Sequence, residues 1–448
     1  MLAICADLVF NLKMFIAHSA EQLDFAAQFF IPEDDPIRDT HPYVRLANEI
    51  EWFDLLDALG KFYSEGRGRP SIPVKNMILL LMFKHFEQLS DRELVGQIGC
   101  NMAMQKALNI SFQAAQDYID ASSLSKFRQR IGEDGMVLIE AAVNKIVKKK
   151  GKKSRDVFVD TTVVPSNILY PTDIRLLEAS RKFLLGFIKE NATTFTRTYS
   201  RVARRAYLNY IKFRKAKRQF KHKVHGQMLR FVKRNLQQAQ TLVERSAYAI
   251  DKKFLERIET IKTLITQQEE LRKKTPRNGS KSGIHIKDRI VSIYKAHVRP
   301  IPRGKIPMAT EFGAKILLEL RGGILTLLKT TFDNLADSEM LTEFLPRYKG
   351  LNLGADRGFD APKNTKAGLA AEIKNYCIEK KGKHNRKLDS AKVKRMRKQR
   401  SAIEAKISLA KRKFGLHKNL YGRGTEGEAQ WIRLGLCAMN LKFALREP

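Results

Sequence analysis

Short apolar runs bounded by glycine turns or acidic residues recur through the second half of the chain. Asp156–Asp160 and Leu351–Ala355 have the pattern of buried strands, and the first is expected to end at Asp160. Phe312–Leu320 and Ile324–Phe332 are two longer apolar runs joined by Arg-Gly-Gly. A short turn rich in glycine between two such runs predicts a β-hairpin.

Positions of helical period separate these runs. They predict helices over 338–345 and 365–374 and a closing amphipathic helix over 431–445. The short run over 376–378 is predicted as a strand. The resulting order is strand, hairpin, helix, strand, helix, strand, helix. It predicts an α/β fold in which helices flank a mixed sheet.

Two helical regions accompany the strands, and they set the predicted domain boundaries. We predict an N-terminal extension over 1–40, a helical domain over 41–150, and an α/β domain over 151–448. A second helical region, over 174–283, interrupts the α/β domain after its first strand.

The chain has 448 residues and a formal net charge of +36, which implies a polyanionic partner: most simply DNA, or else RNA or an acidic membrane surface. No apolar run approaches the length of a membrane span, and the first residues do not resemble a secretory signal. The four cysteines are scattered and form no Cys-x-x-Cys pair. This spacing argues against structural zinc and against a disulfide framework, and it suits the cytoplasm.

The helical domain over 41–150 contains a candidate DNA-reading element. Ser90 and Glu93 have the spacing of a capping box that starts one helix. Lys126, Arg128 and Arg130 lie on a later helix, where they are candidates for insertion into a DNA groove. The alternative is a helical bundle with a solvated basic face, and the sequence leaves both open.

The helical insertion is basic and has a similar ambiguity. Residues 201–234 include many lysines and arginines and no carboxylate, with aromatic and aliphatic positions at helical spacing. One interpretation is a basic arm lying along DNA phosphates. The other is a helical hairpin whose aromatic side chains form its own core.

Three carboxylates are the candidates for catalysis. Asp160 and Asp356 each follow an apolar run, and Glu404 opens a helical stretch. Two strand-end aspartates and a helical glutamate supply the hard oxygen ligands that a pair of divalent metal ions requires. Taken singly, each of these residues is more often a turn, a cap or a surface charge.

Several segments resemble the DDE transposases of bacterial insertion sequences. Asp160, Asp356 and Glu404 lie in segments similar to those that carry the three acids of that family. The third segment resembles the spacing Tyr-x2-Arg-x3-Glu-x6-Lys through Arg400, Glu404 and Lys411, with Arg397 at the tyrosine position. The likeness runs from about 41 to 445 and lapses across the helical insertion. The segment of the first acid is Asp160–Asp173. Four further segments contribute to the likeness: Gly68–Val74, Leu89–Leu94, Arg299–Lys305 and Glu311–Lys315.

The resemblance implies an RNase H-like catalytic domain and a transposase that acts on double-stranded DNA at transposon ends and at the target. It implies two Mg²⁺ ions, or Mn²⁺, held by Asp160, Asp356 and Glu404, with DNA contacts from Arg400 and Lys411. It also implies a homodimer that pairs two ends, located in the cytoplasm with the nucleoid. Two alternatives remain open at this stage: a structure-selective nuclease of the same fold, and an inactive DNA-binding relic or repressor.

Overall fold

The computed structural model describes ten stretches of the chain: 37–64, 71–151, 153–192, 197–213, 217–246, 250–275, 284–302, 310–378, 391–421 and 424–445. Most of the predicted extension over 1–40 lies outside them, as do 303–305 and the first three residues of Gly68–Val74. Backbone contacts divide the chain into two compact units. The first comprises 1–165, 314–331 and 335–448, and the second comprises 166–313 and 332–334.

The N-terminal part of the first unit is helical, as predicted. Its helices are α1 (Pro42–Glu49), α2 (Trp52–Gly60), α3 (Val74–Glu87), α4 (Asp91–Ile98), α5 (Met102–Leu108), α6 (Phe112–Ala115) and α7 (Ala121–Lys150). Ser90 caps α4: its Oγ accepts from the Glu93 N–H at 3.2 Å, and Glu93 Oε2 accepts from the Ser90 N–H at 2.7 Å. The predicted capping box is therefore confirmed.

The segment 125–130, predicted as the start of a short helix, lies within α7. Asp120 caps this helix by accepting from the Ser122 N–H at 2.7 Å. The helix is broken at Gly132, whose φ of 57° and ψ of −158° are not helical. A side chain at that φ would be strained, so glycine permits the break.

A mixed sheet forms the centre of the first unit. Its strands are β1 (Asp156–Pro165), β3 (Thr310–Arg321), β4 (Ile324–Thr331), β5 (Asn352–Ala355) and β6 (Asn375–Ile378). Their spatial order is β4-β3-β1-β5-β6. The pairs β1–β5 and β5–β6 are parallel, whereas β3–β4 is antiparallel. The predicted mixed α/β arrangement is confirmed.

The hairpin between β3 and β4 forms where the two glycines predicted it. Gly322 and Gly323 have φ values of 60° and 88°, and Arg321 pairs with Ile324 across the turn. A two-residue loop with both φ values positive matches the right-handed twist of the strands, and glycine adopts it without strain.

Helices and 3₁₀ turns complete the first unit. They are α12 (Asp337–Leu341), a 3₁₀ turn (Thr342–Tyr348), a second 3₁₀ turn (Arg357–Phe359), α13 (Pro362–Ala370), α14 (Ala391–Gln399), α15 (Ser401–Lys413) and α16 (Gly424–Ala444). The helices predicted over 338–345 and 365–374 thus begin earlier in the chain, at 337 and 362.

The prediction of an amphipathic closing helix is wrong. Most residues of α16 from Glu428 to Leu441 are buried, because the helix packs against α3, α7, α15 and β4. It therefore joins the N-terminal helices and the sheet in one unit, whereas the sequence analysis set a boundary at 150.

One apolar core of the first unit is formed by residues of β1, β3 and β5 and by the elements that follow β4. Val157, Val159 and Leu353 have no exposed surface, and Tyr348 and Phe359 close the same cluster. Side chains on alternate residues of β1 point to opposite faces, and most of its positions are buried. The strand is therefore covered on both faces, which fixes its position.

The second unit is largely helical. It contains α8 (Asp173–Asn191), α9 (Ser200–Lys212), α10 (Arg218–Arg245) and α11 (Lys252–Lys274), followed by β2 (Pro300–Pro302), which pairs with Thr310–Phe312. Its core includes Leu229 and Val232, while Tyr207 and Tyr210 pack against it half-buried. In the described part of the chain, no helix combines the length and apolar character needed to cross a bilayer.

Candidate active site

The register of the sheet brings two of the three predicted acids side by side. Asp156 of β1 pairs with Asn352 of β5, and Phe158 pairs with Gly354. Continuing this parallel register by two residues places Asp160 opposite Asp356. Neighbouring strands lie about 5 Å apart, so the two carboxyl groups share one edge of the sheet.

Asp160 lies within β1 and does not end it, contrary to the sequence analysis. The strand continues to Pro165 because Thr161, Val163 and Val164 are also buried. The Thr161 N–H donates to Asp160 Oδ1 at 2.8 Å, which holds the carboxyl group in one orientation.

Asp356 follows the last residue of β5 and caps the 3₁₀ turn after it. The Gly358 N–H donates to Asp356 Oδ1 at 2.7 Å. A Cβ at residue 358 would lie 2.8 Å from that oxygen and 2.9 Å from Oδ2 of Asp337. Glycine is thus required by the close approach of two carboxylates.

Glu404 lies in the first turn of α15, which packs against β1. Arg400, one turn earlier, forms an ion pair with it, Nη1 to Oε1 at 2.9 Å. Lys411 follows two turns after Glu404 on the same helix and is half-buried. The helical spacing thus aligns Arg400, Glu404 and Lys411 along one side of α15.

The pKa of the Asp160 carboxyl group is affected by the charges of the other two acids. Burial raises the pKa of the Asp160 carboxyl group to about 6, and the charges of Asp356 and Glu404 also raise it. The Thr161 N–H and the charge of Arg400 act in the opposite direction. A cation placed between the acids would relieve this repulsion.

The oxygen donors at this edge of the sheet suit a divalent ion in part. Asp160 and Asp356 offer carboxylate oxygens from adjacent strands, which suits Mg²⁺ or Mn²⁺. Glu404 influences Asp160 electrostatically, but its side chain is 53% exposed and paired with Arg400. Within the described ranges, no three His, Cys, Asp or Glu residues are close enough together to hold a metal ion. The two aspartates thus fit a metal ion, and Glu404 is not in ligand position.

A cavity of about 400 Å³ opens beside Asp356. Its lining combines the end of β5 with basic side chains of α14 and the residue before α15: Gly354, Ala355, Asp356, Arg357, Cys377, Met396, Arg397 and Arg400. Three guanidinium groups around one carboxylate form a space in which an anionic group is favoured. Arg397, at the position of the family's tyrosine, lines this cavity.

Sequence reasoning missed a fourth acid at this edge. Asp337 Oδ1 accepts from Thr161 Oγ1 at 2.8 Å and pairs with Lys315 Nζ at 2.7 Å. Lys315 also donates to the Leu335 carbonyl at 2.6 Å. The available signal was a lysine inside the apolar run of β3, because a buried lysine requires an acidic partner.

The predicted DNA-reading residues separate into exposed and buried ones. Lys126 and Arg130 are exposed, and the Arg130 guanidinium lies 4.6 Å from the ring centroid of Tyr63. Arg128 is 7% exposed and donates two hydrogen bonds to Asp91, at 3.2 and 2.6 Å. The prediction that Arg128 is displayed to DNA is wrong, because its side chain faces the interior and is neutralised there.

The mixed sheet with acids at one edge defines a class of phosphoryl-transfer domain, and comparison with known families agrees. The description "Transposase domain (DUF772)" matches residues 32–130, and "Transposase DDE domain" matches residues 312–441. The chain belongs to the DDE transposases of insertion sequences, enzymes of DNA transposition whose DDE domains generally use divalent metal ions. The RNase H-like fold class is confirmed with it.

The matches cover the site unevenly. Asp356 and Glu404 lie inside the second match, whereas Asp160 and most of the helical second unit lie outside both. The chain is also similar to a protein of Rhizobium meliloti named "Uncharacterized protein ORF8 in nfe locus", 34% identical over 167 residues, which are 36% of this chain and 80% of that protein. No solved structure matches the chain.

Proposed function

We propose that this transposase binds the terminal inverted repeats of its insertion sequence, cleaves a strand at each end and joins the freed 3′-OH to target DNA. The cleavage and joining steps use one site, in which Asp160, Asp356 and Glu404 are the metal ligands. The enzyme acts as a homodimer on two paired ends of double-stranded DNA, in the cytoplasm at the nucleoid.

One observation carries this proposal: the parallel register that sets Asp160 beside Asp356 on adjacent strands. Two carboxylates in such positions repel each other, and the raised pKa of Asp160 is consistent with that repulsion. Two carboxylates held on adjacent strands, with a third carboxylate nearby, are suited to divalent ions. The neighbouring acid Asp337 differs from them, because Lys315 neutralises it.

Each side chain has a proposed role. Asp160, oriented by the Thr161 N–H, and Asp356, oriented by the Gly358 N–H, would be the first two ligands. When bound, two Mg²⁺ or Mn²⁺ ions would activate the attacking oxygen and stabilise the leaving 3′ oxygen. Arg400 orients the Glu404 carboxylate through its ion pair, and Glu404 would be the third ligand of the bound ions.

Lys411 has a proposed role in holding DNA rather than in chemistry. It lies on the same side of α15 as Glu404, so a phosphate near the carboxylates falls within reach of its ammonium group. Arg357, Arg397 and Arg400 line the cavity beside Asp356 and are proposed to contact the backbone of the DNA terminus.

The test uses the full chain and linear DNA that carries the inverted repeats flanking its gene, with Mg²⁺ or Mn²⁺. We expect nicking at the repeat ends followed by strand-transfer products. Asp160→Asn is expected to keep DNA affinity and to lose both reactions, because an amide is a poor ligand for these ions. Asp134→Asn makes the same chemical change at an exposed position of α7 and is expected to keep both reactions.

The alternatives give different products. Cleavage without strand transfer identifies a structure-selective nuclease, and binding without any cleavage by the unmodified chain identifies a DNA-binding relic or repressor. Full activity of Asp160→Asn would refute the proposed site.

A further inference from the structure

The helix α9 in the second unit has two chemically distinct sides. Ala203 has no exposed surface, and Tyr207 and Tyr210 pack half-buried against the core of the unit. Arg201 and Arg205 are exposed on the other side. The helix is therefore anchored along one side through its aromatic residues, which leaves its basic side free.

The exposed basic residues of α9 form a ladder. At 100° per residue, Arg201, Arg205 and Lys212 fall within about 40° of one another around the helix axis, and Arg204 flanks them. The ladder extends over about 16 Å, at 1.5 Å per residue. It is thus long enough to face several successive phosphates of a duplex, which carries a charge about every 1.7 Å of its axis.

These cations differ from other exposed lysines of the same unit. Within the described stretches, Arg201, Arg204 and Arg205 make no ion pair, and residues 201–234 contain no carboxylate. By contrast, three exposed lysines of α10 and α11 are each paired with a glutamate: Lys233 with Glu269, Lys262 with Glu259, and Lys274 with Glu270. The charge of α9 is therefore left to an outside partner.

Two further cations lie beside the residue that precedes α9. Arg197 and Arg234 lie 5.0 and 4.7 Å from the ring centroid of Tyr199, which precedes the helix. Tyr199 also stacks on Phe231, with ring centroids 6.0 Å apart. A hydrogen bond with Arg234 and the charge of Arg197 lower the pKa of the Tyr199 hydroxyl. Two guanidinium groups are thus fixed on one ring without a neighbouring carboxylate.

We propose that the basic face of α9, defined as Arg201, Arg204, Arg205 and Lys212, binds the phosphate backbone of duplex DNA without reading its bases. Arginine is suited to this partner because its planar fork of donors matches phosphate oxygens. The choice of duplex DNA among polyanions rests on the proposed function. Neither family match reaches this face, since they end at 130 and begin at 312.

The test measures binding of the full chain to short duplexes of arbitrary sequence, in EDTA so that cleavage does not interfere. Each phosphate contact contributes about 0.9 to the slope of log affinity against log salt. The variant Arg201→Gln/Arg204→Gln/Arg205→Gln is expected to lower the magnitude of this slope by about 3 and to weaken binding at least about tenfold at low salt. Its circular dichroism is expected to match that of the unmodified chain.

The matched control is Lys233→Gln/Lys262→Gln/Lys274→Gln, which removes the same charge from the same unit at lysines that already have acidic partners. It is expected to change the slope by less than about 1. An equal effect of the two triple variants would refute the proposal. DNA affinity would then depend on the net charge of the chain and not on the position of the three arginines. The proposal would also be refuted by an unchanged salt slope in the arginine variant. The same holds if this variant binds RNA or single-stranded DNA more weakly but binds duplex DNA as the unmodified chain does.

The outcome is separable from that of the proposed function. A chain that binds duplexes through α9 but never cuts end DNA retains this inference and loses the catalytic proposal. If the unmodified chain cuts end DNA and the arginine variant binds duplexes normally, the catalytic proposal is retained and this inference is lost.

Discussion

Lys315 and Asp337 form an ion pair, Nζ to Oδ1 at 2.7 Å, directly beneath the edge that carries Asp160 and Asp356. Their side chains are 11% and 27% exposed. The same Asp337 oxygen accepts from the hydroxyl of Thr161, the residue after Asp160. The pair therefore ties β1 and β3 to α12 at the point where the site is built.

We expect Lys315→Met to destabilise the fold by about 3 kcal/mol, because it leaves the Asp337 carboxylate without a cation in a partly buried place. Asp337→Asn is expected to cost a similar amount. The double variant should cost clearly less than the sum, since neither charge then remains unpaired. Urea unfolding of all four proteins measures this coupling, and additive losses would show that the two residues act independently.

The raised pKa of Asp160 makes a prediction about stability and pH. A carboxyl group whose folded pKa is about 6, above an unfolded value of 3.8, keeps its proton in the folded chain while the unfolded chain loses it. Stability therefore falls as pH rises from about 4 to 6 and stays low above 6. A shift of this size corresponds to about 2 to 3 kcal/mol, since one pKa unit is worth about 1.4 kcal/mol.

Asp160→Asn removes this titration and is expected to raise stability by about 2 kcal/mol at pH 8 without divalent ions. Thermal unfolding at a series of pH values measures the difference between the two proteins. Mg²⁺ should stabilise the unmodified chain and have little effect on Asp160→Asn. A constant difference between the proteins from pH 4 to pH 8 would contradict the pKa shift.

Arg400 offers a test that separates activity from stability. Its ion pair with Glu404 is partly exposed, so Arg400→Gln should cost at most about 0.5 kcal/mol of stability. If the arginine orients Glu404 for metal binding, the variant needs more Mg²⁺ for half-maximal cleavage. Arg412→Gln, at an exposed position of the same helix, is the control and should leave the Mg²⁺ requirement unchanged.

Local patterns predicted local structure well in this chain. Gly322 and Gly323 specified the hairpin because only positive φ values close a two-residue loop of that twist. Ser90 and Glu93 specified the start of α4 because their side chains satisfy each other's backbone N–H. Both features depend on neighbouring residues, which the sequence shows directly.

Features that depend on distant partners were harder to predict. Asp160 was expected at a strand end, but burial of the residues after it carries β1 on to Pro165. Asp337 was missed because its partners, Thr161 and Lys315, are far away in the sequence. The buried α16 was predicted as amphipathic, since nothing local shows that helices and the sheet cover it on several sides.

The burial of Arg128 leads to a last prediction about the N-terminal helices. Arg128 donates two hydrogen bonds to Asp91, and its guanidinium lies 4.1 Å from the ring centroid of Tyr421. Lys84 Nζ also pairs with Asp91, at 2.5 Å, so two cations share one carboxylate inside the unit. Arg128→Gln should therefore destabilise the fold by about 2 kcal/mol, because two hydrogen bonds to a carboxylate are lost while Lys84 still pairs with Asp91.

The exposed neighbours of Arg128 on α7 should behave in the opposite way. Lys126→Gln/Arg130→Gln is expected to change stability by less than about 0.5 kcal/mol and to weaken binding to end DNA. Below its unfolding temperature, Arg128→Gln is expected to bind DNA as the unmodified chain does. Urea unfolding and DNA titration of both variants decide the matter: a stable Arg128→Gln protein with reduced DNA affinity would return Arg128 to the DNA-contacting face, against the geometry of its pair with Asp91.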